Sequence, residues 1–348
     1  MTKLQIAARS AIRDVLGVKP GERVLIVTNP SRDVKRISEA LAAAAAAAGA
    51  KTTVLVQPVK TQLDVTDRTV LKAIETKPDV VISMSKEKIG KMPGSAESPL
   101  QRLLDRKRMR TFWSPSATVK IFEETVAIDY AALRTDVAAL ARHFRGAVAT
   151  RVTAPSGTDI TVGMKGRIAR KDDGDYRKRG SGGNLPAGEV YVSPALGSSN
   201  GLIVFDGSIA ALKGMIMIRK PITCVVKGGF VTDITGGAEA IRLLECIRTA
   251  ERAKRITKNV RNLGEFGIGM NRKAKIVGNI LEDEKVYGTC HFAIGANFEG
   301  DAPALIHLDG LVKKPTIRIM YRNGSERIVM MDGKLTGLRG RRYSKLSS

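Results

Sequence analysis

Two of the three histidines in this chain lie in one stretch that is rich in acidic residues and glycine. His307 and Asp309 form a His-x-Asp pair, and residues i and i+2 of a β-strand point to the same face. An imidazole beside a carboxylate suits Zn, Mn, Co or Fe(II) better than the all-oxygen shell of Ca. Glu265 and His291 lie nearby, and the glycines around them allow the backbone to approach a site closely. The pattern predicts one or two catalytic metal ions, and hence a metalloenzyme.

Three glutamates are candidates for further roles at such a site. Glu265 lies between glycines, at what its context predicts to be a transition from helix to loop. Glu189 follows a Pro-Gly turn at the predicted start of a strand, where a carboxylate can point into a cleft, although an exposed edge strand often carries such a glutamate as well. Glu284 belongs to the acidic segment 281–285. Either Glu189 or Glu284 could accept a proton from a metal-bound water.

The order of these motifs resembles the aminopeptidase T and aminopeptidase S family of metallo-aminopeptidases. The resemblance spans residues 184–310, and the N-terminal half also looks like the N-terminal domain of that family. The motifs that carry it are Leu185-Pro186-x-Gly188-Glu189-Val190, Leu263-Gly264-Glu265, Thr289-x-His291-x-Ala293-x-Gly295 and His307-x-Asp309.

This resemblance implies a hydrolase in which metal-activated water attacks the N-terminal peptide bond, with Glu284 or Glu189 as its base. It implies two ions of Zn, Co or Mn, a bridging role for Glu265, and a homodimer. The family has a tyrosine seven residues after its first histidine, whereas this chain has Phe298, which cannot bind a metal. The implied ligands are Glu189, Glu265, His291, His307 and Asp309.

The chain also resembles the 2,5-dihydroxypyridine dioxygenase group, whose members use one non-haem Fe(II). Two histidines and one carboxylate, with open positions, form the ligand set for Fe(II) and O₂. His307 and Asp309 match that group, but its third ligand is a histidine where this chain has Glu265. The retention of Glu189, Glu265 and His291 favours two metals, so we expect the hydrolase, with a ring-cleaving dioxygenase as the alternative.

The predicted secondary structure that must position these residues changes near residue 150. In residues 1–150 short apolar runs alternate with helical segments, which predicts an α/β, doubly wound-like domain with a parallel sheet. Its first strand–helix turn contains no glycine, so the segment has neither a dinucleotide fingerprint nor a P-loop. The predicted strands are 24–28, 52–56 and 79–84, and the predicted helices are 34–48 and 65–76.

Residues 151–348 are predicted to form an α+β domain that carries the metal site. Its short strands are separated by glycine and proline, and residues 163–183 are expected to form a loop. One helix is predicted from Ala238 to about Asn262, with Ile241, Ile247 and Ala250 on its apolar face. The predicted strands are 158–162, 189–192, 201–205 and 224–227.

Composition restricts the functional classes and the cellular compartment that this chain fits. The formal charge of +24 is compatible with a non-catalytic nucleic-acid-binding protein, which is the third hypothesis. Its basic clusters, at 106–110, 177–179 and 339–342, lack the motifs of known nucleic-acid-binding folds, so a basic solvated surface is favoured. No apolar run is long enough to span a membrane, and three widely spaced cysteines fit a reducing compartment. We therefore expect a cytoplasmic enzyme that acts on a peptide or a small molecule.

Overall fold

The computed structural model describes residues 1–61, 64–95, 97–107, 109–253 and 258–336. The basic cluster at 339–342, together with Arg108, lies outside the described residues. The chain divides into two compact units, and each unit is built from three segments. The boundaries thus differ from a single division at residue 150, because the chain returns twice to the first unit. Unit 1 comprises 1–134, 172–188 and 271–285, and unit 2 comprises 135–171, 189–270 and 286–348.

Unit 1 contains the predicted parallel sheet, which confirms the α/β class of the N-terminal domain. The first strand is apolar and buried after its opening arginine, as expected for a strand covered on both faces. The order is β2-β1-β3-β4-β8, and every neighbouring pair is parallel. The strands are β1 (Arg23–Thr28), β2 (Lys51–Val56), β3 (Val80–Met84), β4 (Arg110–Trp113) and β8 (Gly182–Asn184).

The helices of unit 1 follow the predicted positions closely. The alanine-rich helix α2 buries Val34, Ile37 and Leu41 at the three- and four-residue spacing of one helix face. It ends before Gly49, whose φ of +81° is costly for other residues. The helices are α1 (Lys3–Ser10), continued by a π-helical turn (Ala11–Val15), α2 (Arg32–Ala47), α3 (Arg68–Glu75), α4 (Pro99–Asp105), α5 (Val119–Thr125) and α8 (Ile280–Asp283).

Unit 2 contains two antiparallel sheets, which confirms the predicted α+β class. The larger sheet has eight strands in the order β14-β13-β10-β6-β5-β18-β19-β20. Its strands are β5 (Ala147–Thr153), β6 (Asp159–Gly163), β10 (Asn200–Phe205), β13 (Ile222–Lys227), β14 (Phe230–Thr235), β18 (Thr316–Tyr321), β19 (Glu326–Met331) and β20 (Lys334–Leu335).

The second sheet of unit 2 has seven strands in the order β12-β11-β17-β16-β15-β9-β7. Its central strands β15 and β16 are buried along their whole length, so both faces are covered. Its strands are β7 (Arg170–Asp172), β9 (Glu189–Val192), β11 (Ser208–Ala210), β12 (Met215–Met217), β15 (Leu263–Gly269), β16 (Thr289–Gly295) and β17 (His307–Lys313).

Three local predictions were wrong. Residues 163–183 are not all loop, since they include β7 and the start of β8. Glu265 lies inside β15, not at a helix–loop transition. The long helix, α7, ends at Glu251, and Ile241 is 60% exposed because the buried stripe is set by Ala240, Leu243 and Ile247. The other helix that enters unit 2, α6, spans Tyr130–His143.

Among the described residues, none of the helices combines the length and the apolar character that crossing a membrane requires.

Candidate metal centre

The candidate ligands converge because three neighbouring strands are held in a defined register. In β16 and β17, Ala293 lies opposite Asp309 and Gly295 lies opposite His307. In β15, Glu265 lies opposite the same Ala293. Since side chains alternate between the faces of a sheet, the acidic side chains of β15 and β17 flank the small Ala293 on one face. Tertiary pairing thus brings together residues that are more than forty positions apart in the chain.

Glu265 lies at the centre of the group, between the two histidines. Its Oε1 is 3.2 Å from Nε2 of His291, and its Oε2 is 3.8 Å from Nε2 of His307. His307 Nε2 is also 3.1 Å from Oδ1 of Asp309, and His291 Nε2 is 3.4 Å from Oε2 of Glu189. Two sets of potential ligands therefore share Glu265, and within each set the atoms lie within 4.8 Å of one another.

A glycine makes room for one of the two imidazoles. Gly267 lies directly opposite His291 in the β15–β16 register. A Cβ atom added at Gly267 would lie 2.0 Å from His291 Nε2, far inside van der Waals contact. The ring of His291 therefore occupies the volume that any other residue at position 267 would fill.

In both imidazoles Nε2, and not Nδ1, is the nitrogen that faces the carboxylates. Nδ1 of His307 donates to the backbone oxygen of Ala296 at 2.7 Å. That hydrogen bond fixes Nδ1 as a proton donor, so Nε2 is the nitrogen that carries the lone pair when the ring of His307 is neutral. Nδ1 of His291 is buried and has no hydrogen-bond partner in the described part of the chain. Both histidines thus present Nε2 to the same cluster of carboxylate oxygens.

The clustered carboxylates make the site strongly negative, so it favours positive charge. Burial lowers the pKa of His291, but the hydrogen bond to Glu265 and the charges of Glu189, Glu265 and Asp309 outweigh it and raise the pKa to about 9. The pKa of His307 rises to about 10, because Asp309 and Glu265 outweigh the effect of burial. The imidazolium ions supply the positive charge that a metal would supply. Since a metal binds neutral imidazole, binding must displace these protons.

Glu284, the other candidate base, belongs to unit 1, whereas the five candidate ligands belong to unit 2. Its Oε1 is 2.8 Å from Nζ of Lys285 and accepts a hydrogen bond from the amide of Asn184 at 3.1 Å. Lys285 is fully buried, and its Nζ is also 3.1 Å from Oδ2 of Asp172. The sequence did not predict this buried ionic network, because its members come from segments more than eighty residues apart.

An aromatic pair borders the face that carries the candidate ligands. Tyr191 lies opposite Gly267 on the other side of β15, and directly opposite residues have Cβ atoms about 4.5–5.5 Å apart. Because His291 Nε2 lies 2.0 Å from the Cβ position of Gly267, Tyr191 lies near the candidate metal centre. The ring of Phe298 meets Tyr191 edge to face at 5.7 Å, and the guanidinium of Arg170 lies 4.4 Å above Phe298. Sequence reasoning missed Tyr191, although its two-residue offset from Glu189 was a usable signal.

Comparison with known proteins gives both a family and a fold. The family model NicX, 2,5-dihydroxypyridine 5,6-dioxygenase, matches residues 10–323. The structure of 2,5-dihydroxypyridine dioxygenase from Pseudomonas putida KT2440 is similar with a TM-score of 0.76 and 18% identity, over 97% of this chain and 98% of that chain. AmpT from Thermus thermophilus is similar with a TM-score of 0.65 and 18% identity, over 96% and 99%. No curated protein sequence matches significantly.

The expected aminopeptidase-like hydrolase is therefore wrong, and so is its classification as a protease. The metal-ligand motifs led to that error because histidines and carboxylates serve hydrolytic and oxidative metal sites alike. The family model overturns it, because it matches most of the chain, whereas the motifs spanned residues 184–310. The likeness to AmpT, at 18% identity, shows a shared fold alone. This chain belongs to the 2,5-dihydroxypyridine 5,6-dioxygenase family.

Proposed function

We propose that this protein is a metal-dependent dioxygenase that cleaves a dihydroxylated, pyridine-like aromatic ring. The observation that carries the proposal is the family match over residues 10–323. The cluster of imidazoles and carboxylates supports it, because such a set suits a non-haem metal with open coordination positions.

The donor set fits one Fe(II), although its composition differs from two imidazoles and one carboxylate. Each of the two ligand sets contains one imidazole and two carboxylates, not two imidazoles and one carboxylate. Glu265, however, lies between His291 and His307, at 3.2 and 3.8 Å from their Nε2 atoms. His291 and His307 do not share one of the two compact ligand sets, so the set on the more exposed side of the cluster is Glu265, His307 and Asp309, with one imidazole and two carboxylates. Fe(II) held there would supply the one-electron chemistry that lets O₂ react with a closed-shell aromatic ring.

The residues around this set have roles that follow from their positions. The side chain of His307 is 36% exposed whereas that of His291 is fully buried, so a substrate can approach from the His307 side. Asp309, whose Oδ1 is 3.1 Å from His307 Nε2, belongs to the ligand set on that side. Phe298 is 45% exposed, and with Tyr191 it offers aromatic surface beside the ligands. Such a surface suits a planar ring better than an extended peptide.

The decisive experiment measures oxygen consumption. Protein stripped of metal and reloaded anaerobically with Fe(II) is mixed with 2,5-dihydroxypyridine in air-saturated buffer. We expect one O₂ consumed per ring lost, no reaction in protein treated with chelator, and recovery when Fe(II) is restored. Release of amino acids from amides under nitrogen, without oxygen uptake on the aromatic substrate, would overturn the proposal.

Replacement of Tyr191 by alanine is expected to raise KM for the aromatic substrate about tenfold while leaving the metal bound. The ring supplies stacking contacts of about 0.5–1.5 kcal/mol beyond its buried area, and it is not a candidate ligand. Steady-state oxygen uptake and metal analysis of the same preparation test this. Tyr191→Phe is the matched control and should keep KM near the parent value, because it retains the ring. An unchanged KM in Tyr191→Ala would show that the substrate does not contact this wall.

A further inference from the structure

The loop that joins β16 to β17 contributes the hydrogen-bond acceptor that orients His307. This loop, residues 296–306, begins with Ala296, whose backbone oxygen accepts from Nδ1 of His307 at 2.7 Å. The backbone N–H of Ala296 donates in turn to the oxygen of Ile306 at 2.8 Å. The direction of the imidazole therefore depends on the peptide group that follows Ala296, and the residue on the other side of that group is Asn297.

The side chain of Asn297 closes part of this loop into a compact turn. Its Oδ1 accepts hydrogen bonds from the backbone N–H groups of Gly300 and Ala302, each at 3.1 Å. Its Nδ2 donates to a carboxylate oxygen of Asp301. Asparagine suits this position because its side chain offers an acceptor and a donor to groups that are close in the chain. One side chain thus holds residues 297–302 together.

Two arginines bind this turn from a neighbouring segment of unit 2. Arg167 pairs with Asp301 at 2.8 Å, and the side chain of Arg167 is 13% exposed. Arg170 pairs with Glu299 at 3.2 Å and also lies above the ring of Phe298. The far part of the loop is therefore fixed by contacts that do not involve His307. Asn297 connects this fixed part to the start of the loop.

The link from Asn297 to His307 is a single peptide group. The oxygen of Ala296 and the N–H of Asn297 belong to one planar unit, so a rotation that moves one moves the other. That N–H donates to the oxygen of Ala302 at 3.3 Å, and the N–H of Ala302 is itself bound by the Asn297 side chain. The backbone and the side chain of Asn297 thus together fix the plane that contains the acceptor of His307.

We propose that Asn297 is a positioning residue of the candidate metal centre, which aims Nε2 of His307 at the ligand set through the oxygen of Ala296. The inference rests on the proposed metal-dependent function, because it assigns a role toward the bound ion. Partners that orient a metal-binding imidazole through its other ring nitrogen typically change metal affinity about 10–100-fold. Asn297 acts through Ala296 and not directly, so we expect the lower end of that range.

The test is titration of the metal-free full chain with Co(II), followed by calorimetry and by visible absorption. Co(II) stands in for Fe(II), its neighbour in the affinity order of divalent metals, and its absorption depends on the geometry of its ligands. We expect Asn297→Ala to weaken Co(II) binding about tenfold and to change the absorption spectrum. Asn323→Ala is the matched control, because Oδ1 of Asn323 also accepts the N–H of Ser325, in a turn that carries no candidate ligand. It should leave both readouts unchanged.

A rescue variant distinguishes positioning from a general loss of loop structure. Asn297→Asp combined with Asp301→Asn reverses donor and acceptor in the side-chain pair and keeps an acceptor for the two backbone N–H groups. It should recover Co(II) affinity and the parent spectrum. Asp301→Asn alone removes the ion pair with Arg167 and should also stay close to the parent, because partly exposed ion pairs contribute little. No recovery in the double variant would contradict the role of the Asn297 side chain.

Two further outcomes would overturn the proposal. One is Co(II) binding by Asn297→Ala that is as tight as in the parent, with the same spectrum. The other is an equal loss in Asn297→Ala and Asn323→Ala, since it would show a general effect of loosened turns. Co(II) affinity is measured without substrate. A parent protein that binds Co(II), but whose Fe(II) form consumes no oxygen with 2,5-dihydroxypyridine, would therefore contradict the proposed function and not the role of Asn297.

Discussion

Replacement of His307 by alanine is expected to abolish stoichiometric metal binding. His307 Nε2 lies 3.1 Å from Asp309 and 3.8 Å from Glu265, and the hydrogen bond from its Nδ1 to Ala296 aims it at them. Its loss leaves a cluster of carboxylates with one remaining imidazole. Loss of an outer-sphere partner alone typically weakens a metal site 10–100-fold, so we expect more than about 100-fold from the loss of a ligand. Metal analysis after dialysis, with calorimetric titration of Fe(II), measures the effect.

His143→Ala is the matched control for this experiment, because it removes the one histidine that lies outside the site. It should keep full metal content. The fold of the His307 variant is expected to survive, since that side chain is 36% exposed and leaves no sealed cavity. Full metal occupancy in His307→Ala, with affinity unchanged, would show that the centre is assembled from other residues.

Gly267→Ala is expected to disrupt the metal centre through one added methyl group. That carbon would lie 2.0 Å from Nε2 of His291, so the imidazole must leave its position or β15 must shift. Either movement separates His291 from Glu265, which lies 3.2 Å from it. We expect a loss of metal affinity of more than about tenfold. Overpacking a close-packed region of this kind also costs about 1–3 kcal/mol in the free energy of unfolding.

The control variant Gly310→Ala separates the loss of metal affinity from the loss of stability. It lies in β17, and a Cβ there would be 2.6 Å from the ring of Phe205. We expect a comparable loss of stability, measured by urea unfolding, but a metal content near that of the parent protein. If both variants lose metal equally, strain in the sheet is responsible, and the specific role of Gly267 is contradicted.

Much of unit 1, and the strand that carries His307 and Asp309, could be predicted from local patterns. Apolar runs such as 24–28 and 79–84 are typical of buried parallel strands, and both strands were confirmed. His307 and Asp309 were placed on one strand face because side chains in a strand alternate with a period of two. These features depend on residues that are neighbours in the chain, so the sequence carries them directly.

The class of reaction could not be predicted from the ligands. Neutral imidazoles and carboxylates bind hydrolytic and oxidative metals alike, so the five candidate donors were equally compatible with the wrong chemistry. The decisive information lay in a match to most of the chain. Phe298, which cannot bind a metal, was the residue that already opposed the hydrolase.

By itself, then, the sequence determined which residue types could bind a metal and which segments form strands and helices. Only the tertiary structure decided that Glu265 lies between His291 and His307, because β15, β16 and β17 pair in one register. It also decided that Glu284 and its neighbour Lys285 are held in unit 1 by Asn184 and Asp172. Each of these arrangements joins residues that are far apart in the chain, where periodicity and spacing carry no information about contact.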